Sequence, residues 1–206
     1  MTTLLFLFSL NKYYGALGLA VIAFVMLRSK ISEQKLYRMN MLFFFGFLAL
    51  YLMKIIVWYG AQYSAWSANE QSIYLLPPHQ PIQYFFSYVW FRFARPEIMN
   101  IGVALFFFLI FFLLQRVSRG RMFYEHELYG AGFAFLANPW PQNLLLLPMV
   151  LCAGCLNWAV RFISSLTKHK TTELVSLRIW WPLCGLAMVF AGAWLTRILG
   201  LTDLYL

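Results

Sequence analysis

Charged side chains are scarce in this chain of 206 residues. Only 11% of the residues are charged, whereas 62% are hydrophobic, and an ordinary soluble domain has about 25% charged residues. The shortage excludes an ordinary soluble domain, and no polar stretch is long enough to form a separate one. We therefore expect a single integral membrane domain over residues 1–206.

The sequence also lacks the short motifs that mark common enzyme classes. It contains no Walker loop, G-x-S-x-G elbow, H-E-x-x-H helix or Rossmann glycine run. Asp203 is its one aspartate, which excludes an intramembrane aspartyl protease, because such an enzyme needs two buried aspartates. The apolar run Thr2–Leu10 has no basic residues before it, so we expect no cleavable signal peptide.

Cysteine is rare as well, with three residues, too few for a disulfide framework. Cys152 and Cys155 form a CxxC motif in an apolar segment, which resembles, over four positions, the motif of quinone-linked thiol oxidoreductases of the vitamin K epoxide reductase class. That class uses a second cysteine pair, whereas only Cys184 remains here. We interpret the cysteines as buried, small apolar residues and expect no cofactor and no metal site.

Long apolar runs are what the sequence has in abundance. A helix needs about 20 mostly apolar residues to cross a bilayer, because each residue rises only about 1.5 Å. Three runs reach such a length and two come close. The first three are Met39–Gly60, Ile98–Leu114 and Ile179–Leu199, and the other two are Lys12–Leu27 and Asn143–Ile163.

The segment Met122–Ala137 decides the number of crossings. Its apolar part is short, so it is either a short crossing helix or a re-entrant hairpin. Basic residues collect in the loops 28–38, 116–121 and 164–178, and loops of this kind stay in the cytoplasm. A topology with six crossings and both termini outside puts all three loops in the cytoplasm. The hydropathy of Met122–Ala137 instead favours five crossings. The net charge of +9 comes from such basic loops, which face anionic lipid, so we expect no nucleic-acid partner.

An aromatic segment precedes the third apolar run. Leu76–Pro81 contains three prolines and cannot be a regular helix. Gln83–Phe93 is too short to span and is predicted to be an interfacial or re-entrant helix. Pro96 and Glu97 mark the start of the next helix. The predicted fold is therefore all-α: a polytopic transmembrane helical bundle of five or six spanning helices plus one interfacial or re-entrant helix.

Two polar clusters supply the candidate catalytic residues. Glu125–His126–Glu127 can relay protons, although consecutive helical residues point about 100° apart, and acidic residues at a helix start also satisfy the helix dipole. The second cluster, on the outer side, can bind a lipid-linked phosphate, because arginine pairs bidentately with phosphate. It consists of His79, Arg92, Arg95 and Glu97.

Small residues in the last apolar run favour close helix contacts, within the bundle or with another membrane protein. They are Gly185, Ala187, Ala191 and Gly192.

The sequence leaves two classes of function open. The first is a non-catalytic membrane-assembly subunit or a small transporter-like protein, the latter with a midplane cavity lined by Lys54, Asn157 or Arg161. The alternative is a membrane-embedded enzyme acting on a lipid or lipid-linked phosphate. In both cases the partner is the lipid bilayer, and the default location is the cell membrane, as the inner membrane of a bacterium.

Overall fold

The chain folds into a bundle of helices. The computed structural model describes residues 11–28, 32–119, 124–168 and 177–201, and all regular structure in them is helical. The α-helices are α1 (Asn11–Arg28), α2 (Glu33–Ser67), α3 (Ile82–Val89), α4 (Arg95–Val117), α5 (Glu125–Ala137), α6 (Leu146–Lys168) and α7 (Trp180–Ile198). Thr2–Leu10, the loop residues 169–176, Asp203 and the side chain of Arg161 lie outside the described part.

Four helical stretches are long and apolar enough to cross a membrane, and α1 contributes a shorter apolar helix over Tyr13–Leu27. The four stretches are Glu33–Ser67, Ile82–Val117, Gln142–Val160 and Trp180–Ile198. These lengths and compositions confirm the predicted all-α bundle of apolar helices. Helix α2 is much longer than predicted, because it begins before Met39 and continues to Ser67.

Helix α5 is the centre of the bundle. Only Glu125 and Tyr129 of this helix are not buried, because α1, α2, α4 and α7 all pack against it. Glycines allow α5 to approach α1 and α2 closely. A Cβ atom on Gly132 would lie 2.8 Å from the Phe44 ring of α2, and one on Gly18 of α1 would lie 2.7 Å from the Phe133 ring. Helix α5 is short and apolar because it is a core helix, and other helices cover all of it except Glu125 and Tyr129.

Neighbouring helices fix the direction in which each segment runs. Helix α2 runs parallel to α5, and α4 runs antiparallel to α5, as pairs of contacting residues show. The pairs that show this are Asn40 with His126, Tyr51 with Leu136, Asn100 with Leu136, and Phe108 with Tyr129. Helix α1 is also antiparallel to α5, since Gly15 lies by Ala137 and Gly18 by Phe133.

The last two helices continue this alternation. Gly185 of α7 packs against Ala134, and Gly192 packs against Gln142, so α7 runs parallel to α5. Helix α6 follows Gln142 and brings Gly154 to Leu177, just before α7, so it runs antiparallel to both. The C-terminal ends of α1, α4 and α6 therefore lie at one end of the bundle, which we call the basic end, and those of α2 and α5 lie at the other end.

The aromatic segment is continuous with α4. Helix α3 passes through a π-helical turn, Trp90–Ala94, directly into α4, so the segment predicted as a separate interfacial or re-entrant helix is the first part of a longer one. Its buried face packs on the extension of α2 and forms a second, smaller core. That core consists of Trp66, Leu76, Phe85 and Val89. The proline-rich stretch before it is not a regular helix, as predicted.

Candidate functional site

Three helix ends surround a polar pocket of about 750 Å³ at the basic end. The start of α2, the last turns of α4 and the start of α5 form its walls. The lining residues are Glu33, Gln34, Tyr37, Arg38, Gln115, Tyr124, Glu125 and His126. We refer to this cavity as the polar pocket. It brings together carboxylate, guanidinium, amide, phenol and imidazole groups at an opening of an otherwise apolar bundle.

The first turn of α5 sets the geometry of the pocket's inner wall. Tyr124 precedes the helix, and its backbone N–H donates to the Glu127 carboxylate at 3.1 Å, while the Glu127 N–H donates to the Tyr124 carbonyl at 3.0 Å. This reciprocal pair closes the helix start. Glu127 is buried and acts as a cap, whereas Glu125 is exposed and faces the pocket. The three consecutive candidates therefore take different positions.

His126 is buried in the pocket wall and is 3% exposed. Its backbone carbonyl accepts a hydrogen bond from Asn40 Nδ2 at 2.8 Å. The Tyr124 ring stacks over the imidazole, with 5.5 Å between ring centroids and 16° between planes. The Nε2 atom is buried and has no hydrogen-bond partner among the described residues. Buried polar atoms are nearly always paired, so this unpartnered nitrogen marks the wall of the polar pocket as a candidate contact for a ligand.

Burial sets the charge of this imidazole. His126 lies before the apolar part of α5 begins. Burial lowers its pKa below the ordinary value of 6.5, the nearby carboxylates of Glu127 and Glu33 act to raise it, and Arg178 adds a further lowering. Since the pKa is lowered overall, the ring is neutral at pH 7, and in its Nδ1–H tautomer Nε2 can accept a proton.

A second recess lies beside the polar pocket on the surface of α4. It has a volume of about 470 Å³ and shares Gln115 and Glu125 with the pocket. Its remaining walls are Phe112, Arg116 and Arg119, all of which are exposed. The recess adds two guanidinium groups to the mouth of the pocket, next to an apolar side chain.

The outer candidates do not converge on one site. His79 is exposed, and its ring contacts Tyr74 at 4.8 Å. Arg92 is exposed beside an aromatic groove of about 360 Å³ on the face of α3. Arg95 is half-buried, and Glu97 forms an ion pair with Lys54 of α2.

Lys54, one of the three residues expected to line a transporter cavity, is paired with the Glu97 carboxylate. The Lys54 and Glu97 side chains are only 13% and 18% exposed, so both charges are largely removed from solvent and compensate each other. Asn157 is half-buried on α6. The Lys54–Glu97 pair supplies charge compensation between α2 and α4.

The far end of α5 has a polar network that the sequence analysis did not identify. Tyr51 Oη donates to the Leu136 carbonyl at 2.9 Å, and Asn100 Nδ2 donates to the same carbonyl at 3.1 Å. Asn143 Nδ2 donates to Asn100 Oδ1 at 2.6 Å, and Asn138 Nδ2 to the Ala134 carbonyl at 2.9 Å. These bonds satisfy terminal carbonyl groups that a helix leaves unpaired, so α5 can end inside the bundle.

The cysteines differ from their predicted environment. Cys184 is buried, but Cys152 and Cys155 lie on the exposed face of α6, and all three are free thiols. The interpretation of the CxxC pair as buried residues was wrong, because α6 packs through its Gly154 side and turns both cysteines away. Within the described ranges, no three or more His, Cys, Asp or Glu residues group as metal ligands.

Sequence reasoning found Glu125 and His126 but missed most of the pocket. The basic residues of segment 28–38 predict a loop, whereas Glu33 and Arg38 lie in the first turns of α2. Their polar character was visible in the sequence, but no local pattern indicates that residues 33–38 meet residues 115–126.

No family model, no curated protein and no solved structure matches the chain.

Proposed function

We propose that this chain is a multi-pass integral protein of the cell membrane that binds the head group of a lipid or lipid-linked phosphate in the polar pocket and acts on it as an enzyme. The observation that carries the proposal is the convergence of His126, Glu125 and Arg38 in one pocket at an end of the apolar bundle. A proton acceptor, a carboxylate and an arginine are the groups that phosphate-ester chemistry uses.

The helix directions support a six-segment topology. Helices α1, α2, α4, α5, α6 and α7 alternate in direction, and four stretches have the length and apolar character of spans. Arg38, Arg116, Arg119 and Arg178 all belong to the basic end, and positively charged ends face the cytoplasm. In this proposal the short α5 crosses the membrane surrounded by the other helices. A helix can end within the depth of the membrane where its backbone is buried in protein. A bacterial inner membrane is the default location.

The position of the pocket favours a lipid ligand over a soluble one. Phe112 and Val117, on the α4 surface near the recess, are exposed apolar residues, and Arg116 lies between them in sequence. An acyl chain can remain in the membrane beside these residues while the phosphate reaches Arg116 and Arg119, since arginine binds phosphate oxygens bidentately.

His126 provides the chemistry in this proposal. Its neutral Nε2 takes a proton from a hydroxyl or ammonium group of the bound ligand, and the freed lone pair attacks the phosphorus of the ester. The alcohol that is displaced from phosphorus takes the proton back from the imidazolium. Arg38 and the arginines of the recess offset negative charge on the phosphate. Glu127 is buried as the cap of α5 and holds the first turn in position. Its carboxylate stabilises the imidazolium that forms when His126 takes the proton.

Turnover by a His126→Gln variant tests the enzymatic proposal. The full chain is reconstituted in liposomes that contain phospholipids and a polyprenyl phosphate, and changes in the lipids are followed by mass spectrometry. Loss of a general base costs about 100-fold or more in rate, so we expect a drop of that size. His79→Gln is the matched control, because His79 is exposed at the opposite end. Equal turnover by wild type and His126→Gln would contradict the proposal.

A second candidate function, an assembly subunit, is favoured by one face of α7. Gly185 and Gly192 are buried within the bundle, whereas Ala187 and Ala191 are exposed one helical turn apart. Exposed small residues at this spacing allow another helix to pack closely. An Ala191→Leu variant that still folds but no longer retains a partner in mild detergent would support this function, and retention of the partner would oppose it.

A further inference from the structure

Charged side chains of both signs that have no ion pair within the described part of the chain surround the polar pocket. Glu33 and Glu125 supply carboxylates, and Arg38 supplies a guanidinium group. Arg116 and Arg119 add two more guanidinium groups in the adjoining recess. None of the five forms an ion pair with another described residue. A ligand that carries a single charge can satisfy only one of these two sets.

An independent observation indicates that a ligand belongs here. His126 is 3% exposed and forms part of the pocket wall, yet its Nε2 atom has no hydrogen-bond partner among the described residues. A neutral imidazole in the Nδ1–H tautomer presents Nε2 as an acceptor, and a donor is the partner that this tautomer lacks. Together with the two carboxylates, the pocket offers acceptors on three side chains, and a primary ammonium group carries three N–H donors.

We propose that the polar pocket selects a zwitterionic head group in which a primary ammonium lies next to a phosphodiester, as in an ethanolamine phospholipid. This inference rests on the proposed function and names its substrate class. Glu33, Glu125 and His126 Nε2 receive the ammonium, and Arg116 and Arg119 receive the phosphate. A glycerol head group leaves both carboxylates without a cation, so the pocket discriminates against it.

Lipid binding by the purified full chain in detergent tests the selectivity. Native mass spectrometry compares the binding of dioleoyl phosphatidylethanolamine with that of dioleoyl phosphatidylglycerol. We expect the wild-type chain to prefer the ethanolamine lipid about tenfold, the size of one charge-assisted hydrogen bond. Glu33→Gln/Glu125→Gln removes this preference, because the ethanolamine lipid loses the carboxylates that receive its ammonium and the glycerol lipid no longer leaves them without a cation. Glu70→Gln, an exposed carboxylate at the opposite end, retains the preference.

A second variant separates the two halves of the site. Arg116→Gln/Arg119→Gln lowers the affinity for both lipids by a similar factor, because both carry the phosphodiester. Both arginines and both glutamates lack ion pairs among the described residues, so these variants should keep the helical circular dichroism of the wild type.

The outcomes that overturn this inference differ from those that overturn the proposed function. Equal wild-type affinity for both lipids, binding of neither, or a preference that survives in Glu33→Gln/Glu125→Gln overturns the zwitterionic selectivity. The proposed function is judged separately, by turnover in wild type and His126→Gln.

Discussion

At the scale of single residues, buried amides satisfy the carbonyl groups of the central helix. Asn40 donates to the carbonyl of His126 and Asn100 donates to that of Leu136. The asparagines were visible as polar residues in apolar runs, but their partners could not be predicted, because they lie 86 and 36 residues away in sequence. The composition of a helix shows that a polar group needs a partner and does not show which one it finds.

The Asn100 network should contribute measurably to stability. Asn100→Ala removes a donor to the Leu136 carbonyl and the acceptor of Asn143 Nδ2, so we expect the free energy of unfolding to fall by about 1–3 kcal/mol. Equilibrium unfolding in mixed micelles with increasing sodium dodecyl sulfate measures the change. Asn157→Ala is the control, since Asn157 forms no side-chain hydrogen bond within the described part of the chain; an equal loss in both variants would contradict the prediction.

The Lys54–Glu97 pair gives a second test at this scale. Glu97→Gln leaves the ammonium of Lys54 uncompensated in a largely buried position, and breaking a buried pair costs about 3–5 kcal/mol. Replacing both residues with methionine removes both charges and should recover most of that loss. Thermal unfolding of the single and double variants measures the coupling. Additive losses would show that the two side chains do not compensate each other.

At the scale of helices, the apolar runs predicted most of the bundle but not the ends of its helices. Helix α2 continues past Gly60 because Trp66 packs on Phe85 in the second core. Helix α3 continues into α4 because a π-helical turn joins them. Both extensions depend on contacts between segments, which hydropathy along one segment does not contain.

Glycines of the central contacts provide a prediction for this scale. A Cβ atom on Gly132 of α5 would lie 2.8 Å from the Phe44 ring, whereas one on Gly46 of α2 would meet no atom within 4 Å. Gly132→Ala should therefore destabilise the bundle by about 1–3 kcal/mol through overpacking.

Gly46→Ala should instead stabilise by about 0.5–1 kcal/mol through helix propensity. Denaturant unfolding of the two variants compares the same substitution in two environments. Destabilisation of the same size at both positions would show that α5 does not pack against α2 as described.

At the scale of the whole molecule, three helix ends that are distant in sequence build the polar pocket. Hydropathy predicted apolar helices, and the basic loops predicted which helix ends lie together. Neither pattern predicted that Glu33 and Arg38 meet Glu125 and His126, because that convergence follows from the parallel packing of α2 and α5. The sequence therefore predicted only the part of the candidate site that lies in one segment, Glu125 and His126.

The central claim is that the bundle crosses a membrane with the polar pocket on the cytoplasmic side. Its most direct test is labelling of single cysteines in intact cells and in inverted vesicles, after Cys152, Cys155 and Cys184 are replaced by alanine. Ser118→Cys, at the basic end, should react with a membrane-impermeant maleimide only in inverted vesicles, and Ser72→Cys, at the opposite end, only in intact cells. Labelling of both positions from the same side would contradict this account.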